Sequence, residues 1–419
     1  MRNIKDRTSL FNRLLDTENK IIVLIDLTEK EDEQAIFDTI NSAGVRLSGA
    51  DIVKNALFQK ASELLPNLDV VVTLYVDYWE NIFSKDEDTM VFWGTPRQTG
   101  RLMRDNIEIL LHSISVIKGF FDPDKHTLSD LSSLYKNYIR RFDSKTLKEF
   151  VEEIAKYAQL YRDKILIFEN STLFSFSDDI QRLFHILDVC EISTFHPFIL
   201  SLFYKYQDDE TKLKLYLSEI EKYIIRRMIA KRETKSYNKV CKEFIANENS
   251  IDSKVNDSEL LTGLQDINNK NAALLLFWIE LYRRNNDVKQ SVKELKYNYS
   301  LEHILPQKWE EYWNTVPVKD NTGQVMTNID AGKKERYSKC YWIGNMTLLN
   351  SRLNTALRNY SFEKKINGDG RKKGIRSYAD LSITKDDIVI PFDSCDKVWD
   401  EEKIANRTNN IGNVILSIW

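Results

Sequence analysis

The chain has 419 residues, 42% of them apolar and 29% charged, with a net charge of −3. That length exceeds one ordinary core, so two or three domains are expected, and the composition excludes a disordered chain. With only 13 glycines and 7 prolines, long helices and few tight turns are expected, and 20 Phe, 19 Tyr and 8 Trp imply aromatic cores.

The N-terminal segment MRNIKDRTSLFNRLL has no apolar stretch after its basic residues, so no signal peptide is expected. Residues 20–27 (KIIVLIDL) read as a short strand. Thr28 and Glu31 form a capping box that opens a helix carrying Ile36, Phe37 and Ile40, and Gly44 ends it. Ser48 and Asp51 open a second helix with Ile52, Val53, Ala56 and Leu57 inside. From about residue 70 to 285 the pattern is helical throughout, as a bundle or array, with no repeat period. Its longest apolar run, Ala272 to Ile279, is far too short to span a bilayer.

The character changes near residue 296. Residues 297–301 (YNYSL) read as a strand, 315–340 as a polar loop, 341–343 (YWI) as a second strand and 351–366 as a helix. Strand, loop, strand and helix make a ββα unit. The tail from Trp399 to Trp419 reads as a helix with Ile404, Ile411 and Val414 on its apolar side. The fold class expected is mainly α: a helical multi-domain protein with a C-terminal ββα domain. The divisions expected are 1–65, a remnant of an α/β domain; 66–285, helical; 286–385, the ββα domain; and 386–419, a helical tail.

Cys190, Cys241, Cys340 and Cys395 lie far apart with no CxxC pair, which argues against a zinc site or a disulfide framework and suits a reducing cytoplasm. Charge is uneven. Residues 286–385 hold 18 Lys and Arg against 11 Asp and Glu. Within them, residues 352–376 hold eight basic side chains (Arg352, Arg358, Lys364, Lys365, Arg371, Lys372, Lys373, Arg376) and two acidic ones. A basic patch on an acidic chain suits a phosphate-binding module; the alternative is a solvated helix face.

The chemistry centres on His303, in EHILPQ at the end of a predicted strand and next to Glu302. Asn345 follows the second predicted strand, and Asn354 lies nine residues later on the predicted helix. Carboxylate–His, Asn and Asn on strand, strand and helix is the order of an HNH (ββα-metal) site. Phosphodiester cleavage needs a water made basic near neutral pH, and a neutral imidazole can take its proton. The charge that grows on phosphate needs a cation. Glu302 and the Asn354 amide oxygen are hard ligands suited to Mg²⁺ or Mn²⁺, with water and phosphate completing the shell. Asn345 would orient the His303 ring.

The segments YSLEHILPQ, YWIGNMTLLNSRLN and NYSFEKK resemble the C-terminal HNH domain of the GmrSD-type modification-dependent restriction endonucleases. IGNMTLLNSRLN also aligns without a gap on the HNH domain of the RNA-guided CRISPR nucleases. The resemblance implies His303 as general base, Asn345 as its support, and Glu302 and Asn354 as metal ligands. Glu302 replaces the Asp common in other HNH nucleases. Lys365 fits the family's helix, either reaching phosphate or lying solvated. Arg352, Arg358, Lys372 and Lys373 are the further candidates for nucleic-acid contact.

EQAIFDTINSAGVRLSGADIVKNALF is similar to the segment closing the N-terminal domain of the same proteins, through Phe37, Asn41, Gly44, Leu47, Asp51 and Lys54. YIIRRMIAKRETKSYNKVCKEF and VWDEEKIANRTNNIGNVILSIW resemble two further helical stretches. Read as residues alone, Asn41 and Asp51 suit a helix end and a capping box, and Arg226 and Arg227 a salt-bridged face. The family's DGQQR-type motif and a P-loop are both missing from the sequence, so NTP use is unsupported, and either the chain is a fragment or a separate chain supplies that half. The expectation is thus a cytoplasmic, Mg²⁺- or Mn²⁺-dependent endonuclease acting on DNA in defence against phage or modified foreign DNA. No membrane partner is expected, and a homo-oligomer is possible. The alternatives are an assembly subunit with an idle HNH site, or an RNA-cleaving toxin.

Overall fold

A computed structural model describes residues 48–99, 102–165, 168–320, 322–351, 353, 359–394 and 397–419. The expected strand at 20–27, the helix opened by Thr28, Asn41, Arg352, Asn354, Arg358 and Cys395 lie outside the described residues. The protein is mainly helical.

Helix α1 (Gly49–Leu64) opens on the expected capping box. Asp51 N donates to Ser48 Oγ at 3.1 Å, and Ser48 N donates back to the Asp51 carboxylate at 3.4 Å. These bonds satisfy backbone N–H groups that the first helical turn leaves without partners. Strands β1 (Pro96–Thr99) and β2 (Leu102–Asp105) then form an antiparallel hairpin within the stretch expected to be all helix. After it come α2 (Asn106–Ile117), α3 (Ser144–Lys164), β3 (Leu173–Ser175), α4 (Asp179–Val189), α5 (His196–Lys205) and α6 (Glu210–Ile229). Their apolar stripes, such as Leu147, Val151 and Ile154 on α3, meet in one large core.

Helices α7 (Asp257–Gly263) and α8 (Asn269–Asn286) lead into the C-terminal part. Every residue from Leu274 to Ile279 is fully buried, so α8 is apolar on all sides because it lies inside the core. Strand β4 (Glu294–Lys296) pairs back with β3, setting Leu295 opposite Phe174. Strands β5 (Tyr299–His303) and β6 (Met346–Asn350) pair antiparallel and pack on α8, with Glu302 opposite Thr347 and His303 opposite Met346. Leu348 joins the large core, while Leu349 joins a second cluster with Ile304, Leu305, Trp313, Phe362 and Trp399. Alternate side chains of a strand point to opposite faces, so this hairpin is a wall between two cores.

Three further elements close the site: α9 (Ile329–Lys339), α10 (Phe362–Asn367) and α11 (Glu401–Ile418). The polar loop expected at 315–340 therefore contains a helix. It escapes apolar periodicity because its buried residues are Gly332, Arg336 and Lys339. Arg336 makes a buried ion pair with Glu401 at 2.6 Å and donates to the Trp313 carbonyl at 2.9 Å. The strand expected at 341–343 is also displaced. Ile343–Asn345 is a turn of 3₁₀ helix, and the strand begins at Met346. Tail helix α11 forms as expected, capped by Asp400.

The expected salt-bridged face is met at Arg226, which pairs with Asp257, but among the described residues not at Arg227. Arg226 is buried and donates to the carbonyls of Val255 and Trp419 as well as to Asp257, tying α6 to the end of α11. Arg227 lies over the rings of Tyr223 and Tyr237. Among the described residues, no helix is long and apolar enough to cross a membrane.

Candidate active site

Glu302 and His303 end β5, where the chain leaves the hairpin for the turn Ile304–Pro306. Side-chain alternation sends Glu302 to the face shared with Leu349, toward the second core and α10. Glu302 is 7% exposed and Lys365 is fully buried. Lys365 Nζ donates to Glu302 Oε1 at 2.5 Å and to the His303 carbonyl at 2.7 Å. Lys365 is on the inner side of α10 because Phe362, Lys365 and Ile366 share one face of that short helix. The expectation that it reaches phosphate or lies solvated is therefore corrected: it is the buried counter-ion of Glu302. Burial drives the Glu302 carboxyl up and the Lys365 ammonium down, while their mutual attraction opposes both shifts.

His303 is partly buried, and among the described residues its enclosed Nε2 has no hydrogen-bond partner. Burial, helped by the Lys365 charge, lowers its pKa to about 4, so the imidazole is neutral at neutral pH. A neutral ring with an unengaged buried nitrogen is chemically a proton acceptor or a cation ligand.

Asn345 is fully buried at the start of β6. Its Nδ2 donates to the carbonyls of Leu305 at 2.9 Å and Cys340 at 3.2 Å. Its Oδ1 accepts from Leu305 N at 2.8 Å and from Trp399 Nε1 at 3.2 Å. Ile304 N donates to the Asn345 carbonyl at 2.9 Å. Both amide protons and both oxygen lone pairs are thus engaged away from the His303 ring. The expected ring contact is corrected: Asn345 grips the backbone just after His303 and fixes where β5 ends.

Helix α11 secures this arrangement. A Cβ on Gly344 would come within 2.2 Å of the Ile404 carbonyl, so only glycine permits the close approach. Arg407 donates to the carbonyls of Gly344 at 2.8 Å and Met346 at 2.6 Å. Trp399 and Arg407 are positioning residues that sequence reasoning missed. The signal for them was the predicted amphipathic tail, which needed a surface to cover.

Among the basic candidates, Arg376 is taken up by a bidentate pair with Asp393. Arg371, Lys372 and Lys373 are exposed on a tight turn closed by a bridge between Gly368 and Lys373. Asp369 Oδ1 accepts from the backbone N–H groups of Arg371 at 3.1 Å and Lys372 at 2.8 Å, which orders the turn. Cys190, Cys241 and Cys340 are free thiols.

The β5–β6 hairpin thus carries, at the end of β5, a buried acid and a histidine whose Nε2 no described residue engages. Residues 248–414 match the family described as GmrSD restriction endonucleases, C-terminal domain. This part of the chain is therefore similar to the C-terminal domain of the GmrSD restriction endonucleases. The matched segment begins before α7 and so includes the buried helix α8 under the hairpin as well as most of α11. No curated protein matches the chain.

Proposed function

We propose that the chain is a metal-dependent HNH endonuclease that hydrolyses DNA phosphodiester bonds, in defence against phage or modified foreign DNA. The observation that carries this reading is the His303 imidazole: neutral, with a buried Nε2 that no described group engages, on the residue that follows Glu302 at the end of β5. Such a ring can take the proton of an attacking water.

The residues present fit a hard divalent cation such as Mg²⁺ or Mn²⁺. Glu302 Oε2 accepts no hydrogen bond from the described residues, and the orphaned Nε2 lies on the next residue. No group of three His, Cys, Asp or Glu side chains able to hold a metal occurs among the described residues, so water and substrate phosphate must supply much of the shell. When bound, the cation would offset the charge that grows on phosphate and leaving oxygen. The chain's own part is then clear. Glu302 orients the cation, His303 takes the water's proton, Asn345 fixes the backbone after His303, and Lys372 and Lys373 contact flanking phosphates. Asn354 is proposed as a further cation ligand, and Arg352 and Arg358 as further phosphate contacts.

A second reading, an assembly subunit with an idle site, is favoured by one observation: Glu302 is already paired with Lys365. Binding and cleavage of duplex DNA and of RNA, measured side by side over a salt series, separate these possibilities. Duplex DNA is expected to be bound and cut. In the Lys372→Ala, Lys373→Ala protein, DNA binding is expected to weaken equally on all sequences, and the slope of log affinity against log salt to fall by about two. An unchanged slope would remove the turn from the interface. Cleavage of RNA with DNA spared would assign the site to RNA, and binding without cleavage of either would assign it to assembly.

A further inference from the structure

The pair at the floor of the site raises a question of occupancy, because a cation already sits against the carboxylate a metal would need. Lys365 Nζ lies 2.5 Å from Glu302 Oε1, with 1% of the lysine side chain and 9% of the glutamate side chain exposed. The same ammonium is anchored to the His303 carbonyl at 2.7 Å. Mg²⁺ sits about 2.0–2.1 Å from its oxygen ligands. A divalent ion on Glu302 would therefore lie within a few ångströms of the ammonium, in a buried setting where like charges repel strongly. An unpaired carboxylate in the same place would bear the full cost of burial, so Glu302 needs a cation of one kind or the other.

We infer that Lys365 is the resident counter-cation of Glu302, and that a divalent ion enters this site by displacing its ammonium. The inference rests on the nuclease function proposed above, and deepens it. Lys365 keeps the carboxylate charged and aimed while no metal is bound. It lies on the short helix α10, which leads into the exposed turn of Arg371, Lys372 and Lys373. Lys365 is thus a positioning residue that acts through Glu302, and the site has two charge-balanced states rather than one.

Two measurements on the full-length chain test this. The first is Mn²⁺ titration followed by electron paramagnetic resonance for wild type, Lys365→Gln and Glu302→Gln. Glutamine at 365 retains a donor for Glu302 and the His303 carbonyl but removes the competing charge. Mn²⁺ is expected to bind Lys365→Gln at least tenfold more tightly than wild type, and to lose its site in Glu302→Gln. Binding to Lys365→Gln that is equal or weaker, with wild-type binding intact, overturns the inference and leaves the nuclease function standing. Failure of Mn²⁺ to bind both wild type and Lys365→Gln would remove the metal site altogether. The second measurement needs no variant. Reductive methylation of wild type, mapped by mass spectrometry, should leave Lys365 unlabelled without metal and label it severalfold faster in Mg²⁺. Labelling that Mg²⁺ does not change would contradict displacement.

Discussion

His303→Ala is expected to slow single-turnover DNA cleavage by about 10²–10⁴-fold, the usual contribution of a general base. DNA affinity should change little, because the ring is partly buried at the end of β5 and the phosphate contacts are proposed to lie at the exposed Lys372 and Lys373. Comparing pre-steady-state cleavage with filter binding checks both halves. Loss of binding in step with cleavage would mean that the substitution disturbs the fold and not the proton transfer. Cleavage at the wild-type rate would remove His303 from the chemistry.

Glu401→Ala is expected to have the largest effect on stability. Glu401 is fully buried and Arg336 is 2% exposed, and Glu401 also accepts from Lys319 N at 3.0 Å. Removing the acid leaves a guanidinium buried without compensation, which typically costs about 3–5 kcal/mol. The pair joins α9 to the first turn of α11, so its loss loosens the helix that holds Gly344 and Asn345 in place. Replacing both partners together, as Arg336→Met with Glu401→Leu, should be far milder, because no lone charge remains. Urea unfolding followed by tryptophan fluorescence reads the difference. A loss below about 1 kcal/mol for Glu401→Ala would show that the pair does not hold the two helices together.

Much of this site was legible in the sequence because it rests on local signals. The Ser48–Asp51 capping box and the amphipathic tail follow from short-range pattern and form, and the strand expected at 297–301 forms a little later, as Tyr299–His303. The displacements have physical causes. YWI has strong strand propensity, but β6 is set by its pairing with β5, and that pairing starts at Met346. Helix α9 has no apolar stripe and is held by an ion pair to a residue far along the chain, which no periodicity reveals. The roles of Asn345 and Lys365 depend likewise on partners about 40 and 63 residues away. For Lys365 a signal was present, since its spacing from Phe362 and Ile366 placed an ammonium on an apolar face. An ammonium there demands a buried partner, and the only acid predicted for the site was Glu302.

Cation dependence of plasmid cleavage bears most directly on the proposed chemistry. The purified chain, given supercoiled plasmid with Mg²⁺ or Mn²⁺, should yield nicked and linear products. EDTA should abolish them, and excess Mg²⁺ should restore them. Cutting at the same rate in EDTA as in Mg²⁺ would contradict a site in which Glu302 orients a divalent ion and His303 activates the water.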